Sequence, residues 1–99
     1  MQIDSIMQFK PGMLVQLCKD PLGYWTWPVE VDTIEAVVIQ GAHTLPHIPN
    51  REFVELLWGE EPWLLSIAGS VQGRTNWTFT HANSLGGDKF WIYAVKQLA

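Results

Sequence analysis

The chain has 99 residues, 47% of them hydrophobic and 16% charged, with a formal net charge of −4. Its length holds one core of ordinary size and excludes two, and its apolar content excludes disorder, because burial can offset the conformational entropy lost on folding. The acidic balance, with no run of Lys or Arg, counts against a duplex nucleic-acid binder, and so low a charge predicts either an unusually aromatic core or an exterior partly covered by another copy or a partner.

Six Trp, four Phe and two Tyr favour strands over helices. Residues 1–10 read as an N-terminal arm or a short helical turn, with Ile3, Ile6 and Met7 on one helical face. Pro11-Gly12 breaks the chain, and residues 11–99 then read as one small β domain. A first strand over Met13–Cys18 puts Met13, Val15 and Leu17 on one face and Gln16 on the other. Asp20-Pro21-Leu22-Gly23 has the chemistry of a turn. Residues 24–32, interrupted by Pro28, suit an irregular strand or a protruding loop. Thr33–Gln40 is the next strand, with Ile34, Ala36 and Val38 facing one way. Gly41, Pro46 and Pro49 predict a loop over 41–51.

Phe53–Trp58 follows as a strand with Val54, Leu56 and Trp58 on one face, and Gly59–Pro62 is its turn. Trp63–Val71 reads as the returning strand, its rival being a short helix from Pro62 through Ala68. Trp77–His81 alternates apolar residues with threonine, and 83–88 is a loop. Phe90–Leu98 is apolar on both faces, which places it centrally or at a subunit interface. The sum is an all-β fold: a small, strongly bent antiparallel barrel of five to seven strands, closed to avoid exposed edges.

Phe9-Lys10-Pro11-Gly12-Met13-Leu14-Val15-Gln16-Leu17 resembles the opening of small SH3-like barrels, where a Pro-Gly turn launches the first strand. Val54-Glu55-Leu56-Leu57-Trp58-Gly59 resembles their mid-barrel strand, which ends in tryptophan before a hairpin. Together they resemble the SH3-like and Sm-like barrel proteins found in tailed-phage genomes, over about the first two-thirds of the chain. An Sm-like resemblance implies ring assembly and binding of uridine-rich RNA. The Sm RNA-binding signatures are missing, however, and Gly73-Arg74 reverses the expected arginine–glycine order. The acidic, aromatic segment from Tyr24 to Glu35 resembles the acidic loop of SH3 domains, whose peptide-binding motif is also absent.

His43 and His47 have the spacing of two metal ligands on a helix, but Pro46 removes the helix, so they read as ordinary loop histidines. Cys18, next to Lys19, reads as a structural thiol rather than a reactive one. The carboxylate pairs Glu30/Asp32 and Glu60/Glu61 fall in turns or irregular segments, where solvated charge is normal. Leu85-Gly86-Gly87-Asp88-Lys89 lacks phosphate-loop spacing. No catalytic residue, metal or cofactor is expected. Trp25 and Trp27 share a face of an extended segment, as an aromatic platform or, in the favoured reading, as core. The candidate interaction surface is Tyr24, Trp25, Trp27, Arg74, Trp77, Trp91 and Tyr93. The expected function is a non-enzymatic structural or protein-interaction module that self-associates through apolar and aromatic surface, as a homo-oligomer or with a protein partner. A single-stranded nucleic-acid binder of the Sm-like kind is the alternative, disfavoured by net charge. The N-terminus has no signal-peptide pattern and no apolar run approaches the ~20 residues of a membrane helix, so a cytoplasmic setting without membrane contact is expected.

Overall fold

A computed structural model describes residues 1–20, 27, 30–83 and 89–99. Among these residues eight strands form one antiparallel sheet: β1 (Gln2–Ile3), β2 (Leu14–Cys18), β3 (Thr33–Leu45), β4 (Ile48–Trp58), β5 (Glu61–Val71), β6 (Arg74–His81), β7 (Lys89–Ile92) and β8 (Ala94–Gln97). Their order across the sheet is β1-β8-β2-β3-β4-β5-β6-β7. The all-β, antiparallel expectation holds, while the count of five to seven strands rises to eight. Among the described residues no hydrogen-bonded ladder closes the sheet into a barrel. Its two ends are nonetheless tied through the chain, because Tyr93 alone separates β7 at one end from β8 near the other. The expected single strand over Phe90–Leu98 is thus two strands with a bend at Tyr93, one pairing with β6 and the other with β2 and β1.

The predicted loop over 41–51 is instead the outer part of a long hairpin, with Pro46 and His47 at its turn. The breakers are absorbed because β3 and β4 slip register between Val38 and Gln40, between Gln40 and His43, and between Thr44 and Leu45. Gly41 is placed where a Cβ would meet the Phe9 carbonyl oxygen at 3.0 Å, so the glycine permits this approach. Residues 61–71 are strand rather than helix, paired with β6 from Trp63↔His81 to Val71↔Arg74. Two-residue turns enclose it: Gly59 and Glu60 on one side, Gln72 and Gly73 on the other, all with positive φ. That conformation matches the twist of the flanking strands in tight hairpins.

The first ten residues join the sheet. Gln2 and Ile3 pair with Lys96 and Val95, and a 3-10 turn over Ile6–Gln8 follows. Its cap is reciprocal: the Ser5 hydroxyl accepts from the Met7 N–H, and Gln8 Oε1 accepts from the Asp4 and Ser5 N–H groups. Ile3 and Phe9 enter the core and Ile6 packs against it, whereas Met7 points to solvent. The inward face carries Val15, Leu17, Ile34, Ala36, Val38, Val54, Leu56, Leu65, Trp77 and Phe79, each following the period-two alternation of its strand. Trp63 stacks on Phe79 with ring centroids 4.6 Å apart, and Trp58 lies 5.2 Å from Trp63.

Candidate interaction surface

With one face of each strand committed to the core, the opposite residues form the exterior. Register aligns some of them into rows. Leu14 is the Cα partner of Val37, Val37 of Leu57, and Leu57 of Pro62. Leu98, whose N–H donates to the Leu14 carbonyl, extends this row on the β8 side. An apolar row therefore crosses β8, β2, β3, β4 and β5, with Leu98, Val37 and Leu57 each at least 40% exposed. Ile39, 41% exposed, follows Val37 on the same face of β3. The next row along β2 is polar. Gln16 has Lys96 as partner on one side and Glu35 on the other. Lys96 and Glu35 are exposed, and among the described residues neither has an ion-pair partner.

A second outward region lies on β4 to β6. Ser66 and Thr78 are Cα partners, both buried although they point away from the core. Arg51 covers them: its Nε donates to Ser66 Oγ at 2.9 Å and an Nη to Thr78 Oγ1 at 3.1 Å. The Ser66 hydroxyl in turn donates to the Glu52 carbonyl, and that of Thr78 to the Ser66 carbonyl. The Arg51 guanidinium also lies 5.6 Å from the Phe53 ring centroid. Beside it opens a pocket of about 230 Å³, lined by Ile6, Asn50, Arg51, Glu52, Ser66 and Ile67.

The described members of the sequence-predicted surface do not form one site. Tyr24 and Trp25 lie outside the described residues. Trp27 packs against the core and its indole N–H donates to the Val31 carbonyl at 2.6 Å, the role of the favoured reading. Trp77 is corrected: it is fully buried, because the alternation of β6 turns it inward with Phe79. Arg74, Trp91 and Tyr93 do share the outward side of β6 and β7, where the Arg74 guanidinium stacks 3.6 Å above the Tyr93 ring and Trp91 is the Cα partner of Thr78. No protein family, curated protein or solved structure matches this chain. The period-two alternation turns Leu14, Val37 and Leu57 away from the face of their core neighbours, but it does not show that they lie side by side. Only strand register aligns them outside.

His43 belongs to β3, its Nδ1 2.8 Å from the Gly41 carbonyl, and His47 stands at the hairpin turn. No cluster of three metal-ligating side chains occurs among the described residues. His81 Nε2 and Glu61 are 3.3 Å apart. Burial pushes the Cys18 thiol above its usual range, and the nearby Lys96 ammonium pulls it only partly back. The thiolate is the reacting form, so Cys18 is expected to alkylate more slowly than free cysteine at pH 8. Iodoacetamide labelling followed by mass spectrometry, with and without urea, checks this. Labelling as fast in the folded protein as in urea would contradict it.

Proposed function

We propose that this protein is a non-enzymatic interaction module whose partner is a second copy of itself. The observation that carries this reading is the exposed apolar row Leu98–Leu14–Val37–Leu57–Pro62 with the Lys96–Gln16–Glu35 row beside it. Contiguous apolar surface of this kind on a small domain favours association. The charges identify the occupant. Consider two copies packed face to face about a two-fold axis running along β2. That operation lays β3 of one copy over β8 of the other, Lys96 against the partner copy's Glu35, and Val37 against its Leu98. Leu14 meets its own equivalent on the axis. The patch is self-complementary, as an isologous interface requires.

The barrel of SH3-like or Sm-like kind is the finer fold reading, supported by the single-residue link from β7 to β8. Ring assembly is not needed to cover this row. Single-stranded nucleic acid remains the weaker reading: the Arg74 guanidinium is engaged by the Tyr93 carbonyl and ring, and Trp91 pairs with Thr78, further along β6. The net charge of −4 opposes it as well.

Light scattering on a gel-filtration column should give a dimer, twice the 11.3 kDa of one chain. Lys96→Glu alone and Glu35→Lys alone each set like charges opposite and should weaken the dimer by about tenfold, while the double exchange restores it. Val37→Asp should leave monomer. A wild-type monomer at all concentrations sinks the reading, as does a double exchange no better than either single change.

A further inference from the structure

We infer that the pocket beside Arg51 binds a carboxylate carried on a small apolar body. The pocket lies on β4 and β5, apart from the apolar row. Its lining includes a cation, Arg51, held in place by neutral groups. Burying a hydroxyl costs free energy unless its hydrogen bonds are satisfied. Ser66 and Thr78 satisfy theirs by accepting from the Nε and one Nη of Arg51 and donating to the carbonyls of Glu52 and Ser66. These bonds fix one edge of the guanidinium against the sheet. They leave the other edge, formed by the two Nη groups, free to make paired bonds, and among the described residues no carboxylate neutralises it. An arginine anchored along one edge with a free fork on the other has the geometry for bidentate capture of a planar anion.

The lining narrows the ligand class. Ile6 and Ile67 offer apolar contact, Asn50 an amide able to donate and accept, and Glu52 a carboxylate. Arg51 is the only cation among the lining residues. The two oxygens of a carboxylate match the free fork, whereas a doubly charged phosphate would meet stronger repulsion from Glu52. At about 230 Å³ the pocket accommodates a group the size of one capped amino acid. The same chemistry could come from the C-terminal residue of a peptide or from a free small acid.

The test uses the full chain, labelled with 15N, in an NMR titration. N-acetyl-valine should shift the amides of residues 50–52 and 66–67 saturably, with Kd of about 1 mM, as a partly open site implies. N-acetyl-valinamide, which lacks the charge, should bind at least about tenfold more weakly. Inorganic phosphate should bind no tighter than the acid. Arg51→Gln should abolish the acid's effect, and Arg51→Lys should recover only part of it, because an ammonium keeps the charge but not the fork. A tripeptide ending in free valine that binds more tightly than N-acetyl-valine assigns the site to peptide tails, and equal affinity assigns it to small acids. No saturable shift by about 20 mM, or equal binding of acid and amide, overturns the inference. The acid–amide comparison needs no variant, so it stands even where a substitution at Arg51 disturbs the sheet.

Discussion

Trp77→Ala is expected to destabilise the protein by about 4 kcal/mol and to lower its urea midpoint sharply. Trp77 stands at the middle of β6, fully buried, with Ile67 and Ile92 as its cross-strand partners. Phe9 meets it edge-on, ring centroids 5.6 Å apart at 87°, which ties the segment after the 3-10 turn to the sheet. Removing the indole leaves a cavity walled by several strands that cannot collapse together. A domain of this length has only about 5–15 kcal/mol in total, so the loss is a large fraction of it. Trp77→Phe separates volume from chemistry. The indole N–H has no hydrogen-bond partner among the described residues, so phenylalanine removes a buried donor left unsatisfied there while keeping most of the ring. Its cost should stay under about 2 kcal/mol. Urea melts followed by circular dichroism check both. An alanine variant within about 1 kcal/mol of wild type would mean that Trp77 does not anchor the core.

Trp77 also shows what the sequence conveyed and what it withheld. Its alternation with Thr78, Phe79 and Thr80 made the strand legible, as did that of Ile34, Ala36 and Val38. Which side faced inward depended on the rest of the sheet, and an aromatic near Arg74 looked equally suited to the surface. The long β3–β4 hairpin was hidden by Gly41, Pro46 and Pro49, residues that usually end strands. Here two fall in bulged or outer positions and one in the turn. The apolar row and the Arg51 pocket were illegible for a different reason. Leu98, Leu14, Val37 and Leu57 are far apart in sequence, as are Arg51, Ser66 and Thr78. Only the pairing register, a long-range property, brings them together.

Register has its most consequential effect at Tyr93. Its N–H donates to the Cys18 carbonyl at 2.9 Å, which joins it to the end of β2. Its carbonyl accepts from an Nη of Arg74 at 2.6 Å, which joins it to the start of β6. The same guanidinium lies 3.6 Å from the centroid of the Tyr93 ring. One arginine thus holds the residue at which the chain leaves one end of the sheet for the other. Arg74→Ala removes a charge-assisted hydrogen bond and a cation–π contact, and strands a carbonyl that has no second strand to pair with. Discounted for the partial exposure of the site, the expected loss is about 2 kcal/mol. Arg74→Lys should fall between, since an ammonium cannot lie flat on the ring while also bonding the carbonyl in the guanidinium's plane. Hydrogen exchange localises the effect. The amides of Tyr93 and β8 should lose protection in Arg74→Ala at denaturant concentrations where those of β4 and β5 keep theirs. Uniform loss across the sheet would instead make Arg74 one stabilising contact among many. Local loss would make it the clasp that lets an open ladder of eight strands behave as a curled one.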